Sequence, residues 1–424
     1  MTEMTKPGIW QDVPSPFCGI ASDDLLIKVE ELTVSIVENG DDITRKGFET
    51  PITDVSPRIN GKEVSLDKAI SHITNLLRDS KQPVISGMAT DLNGARSAMA
   101  LADKSRATID NMDSAASMRN ILVLQDTGYM VTTLTEVRNR VDLLVVIGSD
   151  IEASYPRFFE RMVWNKESMF DQDITSREVV YLGKAPSGDM STSPQGKKAQ
   201  VFICDDADLP EVMSVLRALV NGKAIQAEQV GGIAVSDLTV LAEKLNKALY
   251  SVVAWDAGDL KFNHAEVTVQ TLCEMVKDLN LETRSSGLPL GGKDGSITAN
   301  QVSAWQSGYP MRTNFNRGYP DYDPSLSDTK RMLDNDEVDT LVWLSSYNID
   351  RTPPTSNAKT IVLGRSGMTF EQEPEVFIPV GTPGIDHVGR TFRCDGVVSI
   401  PLRKLRDSGL PSTFDVLTAV EKAL

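Results

Sequence analysis

Histidine is almost missing from this sequence. There are three, His72, His264 and His387, and none falls in the H-x-H or H-E-x-x-H spacing that brings two imidazoles to one metal. These spacings give no support for a histidine-based zinc site. A Ser-His-Asp triad would have to recruit one of the three, and no G-x-S-x-G elbow precedes a helix. His387, in GIDHVGR, is a candidate acid or base, although a loop histidine satisfied by its neighbours accounts for it more simply. Cysteine is scarce too. Cys18, Cys204, Cys273 and Cys394 are scattered, with no C-x-x-C pair, so neither a zinc ribbon nor a disulfide framework is indicated. No segment approaches the ~20 consecutive apolar residues that span a bilayer. The start, MTEMTKPGIWQD, has no signal-peptide shape. These absences predict a cytoplasmic protein with no membrane partner. Basic residues are outnumbered, 43 Lys and Arg against 59 Asp and Glu, for a net charge of −16. That balance argues against a nucleic-acid or anionic-membrane partner.

What is present is ordinary globular composition, 41% hydrophobic and 24% charged over 424 residues, enough chain for two or three domains. LLIKVEELTVSIV (residues 25–37) predicts a β-ribbon. SLDKAISHITNLLRDS has a helical apolar period with Ser65 as N-cap. Strand-like PVISGMA, ATID, VDLLVVIGSD, REVVYLG, AQVFICDD, YSVVAWDAG, VDTLVWLSSYN and KTIVLG alternate with helix-like segments. Alternation of this kind predicts parallel sheets with crossover helices. EVFIPVG and TFRCDGVVSIPL read as extended, and TFDVLTAVEKAL as a terminal helix.

Two stretches approach known site patterns. GLPLGGKD (Gly287 to Asp294) matches G-x-x-x-x-G-K but carries Asp where a phosphate loop needs Ser or Thr for magnesium. The polar NLETRSS precedes it, so a glycine-rich turn is the better expectation. ANQVSAWQSGYPMRTNFNRGYPDYDP (299–324) gathers Trp305, Tyr309, Arg312, Arg317, Tyr319 and Tyr322. Aromatics with arginine on a loop suit a pocket or interface, and a packed, ordered loop explains them equally well.

PSPFCGIASDDL places Ser15, Cys18 and Ser22 at S-x-x-C-x-x-x-S. Iron–sulfur clusters are normally held by four cysteine thiolates. One thiol and two much harder, less acidic hydroxyls do not make such a ligand set.

Several stretches together resemble the B subunit of formylmethanofuran dehydrogenase, in the molybdopterin oxidoreductase superfamily. They are PFCGIASDDL, LQDTGYMVTTLTEVRNRVDLLVVIGSDIEASYPRFFERMVW, NQVSAWQSGYP with FNRGYPDYDP, and TFRCDGVVSIPLRKL, in order over nearly the whole chain. The resemblance implies an α/β fold: Rossmann-like parallel sheets of the molybdopterin oxidoreductase (formate dehydrogenase-like) core, with a small N-terminal module. By that analogy, residues 1–55 form the module with a degenerate cluster loop. Residues 56–135 and 311–424 form a discontinuous α/β domain, and 136–310 an inserted Rossmann-like domain.

The departures from the family pattern carry the functional expectation. The family's N-terminal motif is C-x-x-C-x-x-x-C-D-D with a fourth cysteine downstream. Here Ser15 and Ser22 replace two ligands, Cys18 keeps one, Asp23–Asp24 remain, and the fourth cysteine is missing. The family's metal-binding Cys or selenocysteine precedes LQD-GY, where this chain has Ala116 and Ser117. Loss of both ligand sets resembles the cofactor-less B subunit of the bacterial formyltransferase/hydrolase complex. That complex moves formyl from formyl-tetrahydromethanopterin through methylofuran to formate. The resemblance implies a non-catalytic scaffold, a pseudoenzyme with neither iron–sulfur cluster nor molybdopterin. Its partners would be a zinc- or other-metal-dependent amidohydrolase-like A subunit, a C subunit and a formyltransferase D subunit. Two alternatives stay open. One is an active molybdenum or tungsten subunit with Asp113, Ser114 or Ser117 as ligand. The other is a methylofuran-binding module that uses an empty pterin cleft, with Trp305, Tyr309, Arg312 and Arg317 at a pocket or interface.

Overall fold

A computed structural model describes residues 8–20, 22–170 and 173–424. Ala21, inside the serine–cysteine stretch, and residues 1–7, on which the leader reading partly rests, lie outside that range. The chain forms two compact units, one comprising residues up to Ser114 with Gly292–Leu424, the other Ala115–Gly291.

The first unit is built on a nine-stranded sheet. At its centre Thr108–Ile109, Pro83–Ala89, Thr340–Ser345, Lys359–Arg365 and Val376–Val380 run parallel. Every residue of PVISGMA and TLVWLS is buried. Both faces of a parallel sheet are covered by crossover helices, so its strands read as unbroken apolar runs rather than alternating ones. The helices Leu66–Asp79, Leu92–Ser105 and Thr413–Ala423 supply Ile73, Leu77, Met99, Leu101 and Val416 to the core on this sheet. Ser65 caps the first of them through the Lys68 N–H, as its sequence predicts. The N-terminal ribbon pairs Ile9–Val13, Leu25–Glu30 and Thr33–Glu38 antiparallel. Its Phe17, Leu25 and Ile27 share a core with Tyr347, Ile385 and Leu405.

The second unit holds a five-stranded, all-parallel sheet in the order Gln200–Ile203, Glu178–Gly183, Leu143–Ile147, Ser251–Asp256, Ser285–Leu290. The chain starts in the middle, runs to one edge, then returns to fill the other side, the 3-2-1-4-5 order of a doubly wound sheet. The helices Leu209–Val220, Val235–Lys247 and Ala265–Leu279 bury their apolar faces in its core.

Two local expectations are corrected. GLPLGGKD is not a turn throughout, since Ser285–Leu290 is a strand paired in register with Ser251–Asp256, and only the glycines after it turn. Its lack of period-2 patterning hid it, because a strand covered on both faces needs none. The aromatic–arginine stretch is not one loop either: Trp305 lies on the helix Ser296–Ser307. Among the described residues no helix is long and apolar enough to cross a membrane.

Candidate functional site

The serine–cysteine loop folds onto the start of the helix Asp42–Glu49. Asp41 caps that helix, accepting from the Thr44 N–H at 2.8 Å and from the Thr44 hydroxyl at 2.9 Å. Thr44 is thereby turned inward and has no exposed surface. Its Oγ1 lies 3.4 Å from Ser15 Oγ. Cys18 Sγ donates to Ser22 Oγ at 3.6 Å and accepts from the Ser22 N–H at 3.2 Å. The Ser15 N–H donates to the Ser22 carbonyl at 2.7 Å and ties the two pairs together. All four residues are buried. Phe17 locks the loop in place. Its ring lies so close to Gly47 that a Cβ there would collide with it, and Phe48 and Tyr347 meet the ring edge-on at 5.2 and 6.1 Å.

The structure therefore brings Ser15, Cys18 and Ser22 together, and it adds Thr44, which sequence reading missed. The available signal was Thr44 three residues after the N-cap Asp41 and three before Gly47, the glycine that Phe17 requires. At the three positions where the resemblance implies thiolates there are one thiol and two hydroxyls, already in hydrogen-bond contact with one another or with Thr44. This donor set does not fit an iron–sulfur cluster.

The segment before LQD-GY runs into the helix Ser114–Asp126. Ala116, half-buried, carries no donor atom, and its methyl faces Gly258, 4.0 Å from where a Cβ would stand there. Ser117 is also half-buried. The residues open as substitute ligands are otherwise engaged. The Ser114 hydroxyl donates to Asp110 Oδ2 at 3.1 Å and accepts from both Nε and Nη2 of Arg312. Asp113 is ion-paired with Arg351, whose Nε also lies 3.3 Å from Asp294. Burial pushes the Asp294 carboxyl up, against the pull of Arg351. Among the described residues no group of three or more His, Cys, Asp or Glu could hold a metal ion.

Asp110, also missed in the sequence, sits at the carboxyl end of Thr108–Ile109. It accepts from the Thr329 N–H at 3.0 Å, and Arg312 Nε stands 3.9 Å from its other oxygen. Burial outweighs these contacts and raises its pKa from 3.8 to about 6. The folded state thus holds more protons than the unfolded state between those values, and stability falls as pH rises through that window. Asp110→Asn is expected to flatten the dependence of urea midpoint on pH between about 4 and 6. An unchanged slope would mean that Asp110 titrates normally.

The four aromatic–arginine candidates face different neighbours. Trp305 meets Phe392 edge-on at 5.3 Å, and Tyr309 stacks on Tyr322 at 5.6 Å. Arg317 is exposed and pairs with Asp321 at 3.3 Å. Arg312 is buried at a φ of +69° and binds Ser114, Asp328 and the Pro324 carbonyl. Arg312 is therefore a strut inside the first unit, because its guanidinium joins Ser114 to the loop that holds Pro324 and Asp328. Arg312→Ala is expected to cost ~3 kcal/mol of stability, and Arg317→Ala less than ~0.5 kcal/mol. Thermal unfolding of the two variants checks this, and equal effects would contradict it. The histidines stay apart. His72 meets Glu375, His264 meets Glu266, and both ring nitrogens of His387 face backbone carbonyls of Gly381 and Val388.

No family model matches the chain. It is 25% identical over 414 residues to the B subunit of a tungsten-containing formylmethanofuran dehydrogenase 2 of Methanococcus maripaludis, and 26% identical over 414 residues to that of Methanocaldococcus jannaschii, covering 94% of both chains in each case. It is 26% identical over 337 residues to the B subunit of the formyltransferase/hydrolase complex Fhc of Methylorubrum extorquens, covering 77% of this chain and 85% of that one. Among solved structures, it superposes on the formyltransferase/hydrolase complex (FhcABCD) of Methylorubrum extorquens in complex with methylofuran. The TM-score is 0.73 at 24% identity, covering 87% of this chain and 98% of that one. Acetylene hydratase of Pelobacter acetylenicus aligns at a TM-score of 0.64 with 6% identity, covering 97% of this chain and 69% of that one. The expected fold, α/β units with parallel sheets and crossover helices, is the one observed, and it is shared with these two structures.

Proposed function

We propose, from homology to the B subunits of formylmethanofuran dehydrogenase and of the Fhc complex, that this chain is the B-type subunit of a formyltransferase/hydrolase complex. In that complex it is a scaffold without a redox centre of its own. The observation that carries the reading is the buried set Ser15, Cys18, Ser22 and Thr44. Its members are paired by hydrogen bonds, and Ser15, Cys18 and Ser22 stand at three positions where the resemblance implies thiolates. The second ligand position falls at Ala116 or Ser117, neither of them a Cys, and this supports it independently. In this role the chain carries no electrons. It presents a rigid α/β surface to subunits of the amidohydrolase, formyltransferase and C types, while formyl passes from a tetrahydromethanopterin carrier through methylofuran to formate.

Homology to two tungsten-containing enzymes over 94% of the chain favours, as a second reading, a formylmethanofuran dehydrogenase subunit. It would need Asp113, Ser114 or Ser117 as the metal ligand. The ion pair of Asp113 and the double engagement of Ser114 count against the first two.

The assembly is tested by co-expressing the chain with candidate A, C and D subunits from its own genome, with an affinity tag on this chain alone. Stoichiometric co-purification is expected, together with formyl hydrolysis that disappears when this chain is omitted. A chain that purifies as a stable monomer beside those subunits would overturn the reading.

A further inference from the structure

In the first unit the strands Gly389–Phe392 and Ser399–Leu402 form an antiparallel ribbon, with Arg390 opposite Pro401 and Phe392 opposite Ser399. Side chains alternate between the faces of such a ribbon. On one face Thr391, Ile400 and Leu402 are buried. That side is anchored. The Thr391 hydroxyl lies 3.0 Å from the hydroxyl of Thr298, and the Phe392 N–H donates to the same Thr298 oxygen at 2.8 Å. At the turn, the Cys394 N–H donates to the Gly19 carbonyl at 2.8 Å.

The opposite face is uncovered. Arg390 and Pro401 are exposed, and Val388, just before the ribbon, is 69% exposed. Trp305 extends this surface from the helix Ser296–Ser307. Its ring meets Phe392 edge-on and is still 59% exposed. Val397, at the ribbon's turn, is 63% exposed. One exposed valine calls for no explanation, whereas an indole and two valines on one small ribbon mark a contact surface.

Charge selects the occupant. The chain carries 59 acidic residues against 43 basic ones, yet between His387 and Arg403 the only carboxylate is that of Asp395. Asp395 is buried against Arg393. Among the described residues Arg390 and Arg403 have no carboxylate partner. Arg390 reaches the Ser399 hydroxyl at 3.3 Å, and the Nε of Arg403 is shut off from solvent without an acceptor. The surface is therefore apolar and cationic on an acidic molecule. A two-fold contact of this face with itself would set arginine against arginine, which counts against a second copy of the chain. Complementarity asks instead for carboxylates beside an apolar side chain.

We propose that the outer face of this ribbon, together with Trp305, is the docking surface for a partner subunit, which lays an acidic segment with an apolar anchor against it. The inference rests on the reading of this chain as one subunit of a complex, and it adds the place and the chemistry of the contact. A carboxylate at Arg403 gives its guanidinium an acceptor, and the Trp305 ring supplies the apolar area that such contacts centre on.

The test uses the complex co-purified through the tagged chain. With Val397 replaced by the photo-crosslinking amino acid p-benzoylphenylalanine, illumination is expected to capture one of the co-expressed subunits at a peptide containing Asp or Glu. Arg390→Glu and Trp305→Ala change exposed side chains, so both variants should unfold at the native temperature. Each is expected to raise the dissociation constant of the assembly about tenfold or more. Added salt should weaken the native assembly more than that of Arg390→Gln. Capture of a second copy of this chain, of a peptide without carboxylates, or of nothing overturns the proposal. So do stably folded variants that assemble as the native chain does, a result that leaves the subunit reading standing. A native chain that assembles with no subunit overturns that reading and the proposal with it.

Discussion

Ser15→Cys, Ser22→Cys and Thr44→Cys combined in one chain are expected to yield a protein that takes up about four iron atoms on anaerobic reconstitution with iron and sulfide. The native chain should take up none at this loop. Contacts of 3.4 and 3.6 Å pair Ser15 with Thr44 and Cys18 with Ser22, and the Ser15–Ser22 backbone bond draws the two pairs into one loop. That convergence is set by the backbone. The Asp41 cap turns Thr44 inward, and Phe17 clamps the loop on Gly47. Added thiolates supply the missing donors, and a bound cluster spreads them beyond these hydrogen-bond distances. Substituting the two serines alone leaves three thiols, counting Cys18, and is expected to give less iron and a cluster lost on gel filtration. That difference identifies Thr44 as the fourth position. A folded triple variant that holds no more iron than the native chain would show that the loop has lost the geometry as well as the donors.

The second large effect is on stability. Arg406 and Asp386 form an ion pair at 2.7 Å with side chains only 2% and 3% exposed. Asp386 also accepts from the Thr382 N–H at 2.8 Å, and Arg406 Nη1 donates to the Leu32 carbonyl at 2.6 Å. The pair thus fastens the N-terminal ribbon to the C-terminal segment, a role that a cluster could have shared in a metal-bearing relative. Removing one member leaves a buried charge without its partner, which costs about 3–5 kcal/mol. Arg406→Ala is expected to lower the urea midpoint accordingly and to expose the ribbon to proteolysis first. Asp386→Asn with Arg406→Met removes both charges and should recover much of the loss. A single variant within about 0.5 kcal/mol of the native chain would mean that the ribbon is held by its apolar core alone.

The parallel strands were legible because buried strands are written as apolar runs, and LLVVI and TLVWLS are such runs. The helix at Leu66–Asp79 was legible from its period and from Ser65. The strand Ser285–Leu290 was not, since Gly287 and Pro289 stand in it, and its place at the sheet's edge, paired with Ser251–Asp256, tolerates a proline. The cluster loop was recognisable only as far as local spacing reaches. Ser15, Cys18 and Ser22 lie within one turn-rich stretch, whereas Thr44 joins them across a ribbon, and its only local mark is its place between the cap Asp41 and Gly47. Arg312 had the composition of a pocket residue. Its role as a strut depends on Ser114, some two hundred positions earlier, a pairing that no local pattern encodes.

The account rests most directly on the metal and pterin content of the chain purified with its partners, counting iron, molybdenum and tungsten per chain by mass spectrometry and assaying pterin by fluorescence after oxidation. Less than about a tenth of an equivalent of each is the predicted result, as expected for a loop with one thiol among hydroxyls and for the absence of Cys from positions 116 and 117. About one tungsten or molybdenum per chain, accompanied by pterin, would contradict it and turn attention to Ser117 as the ligand.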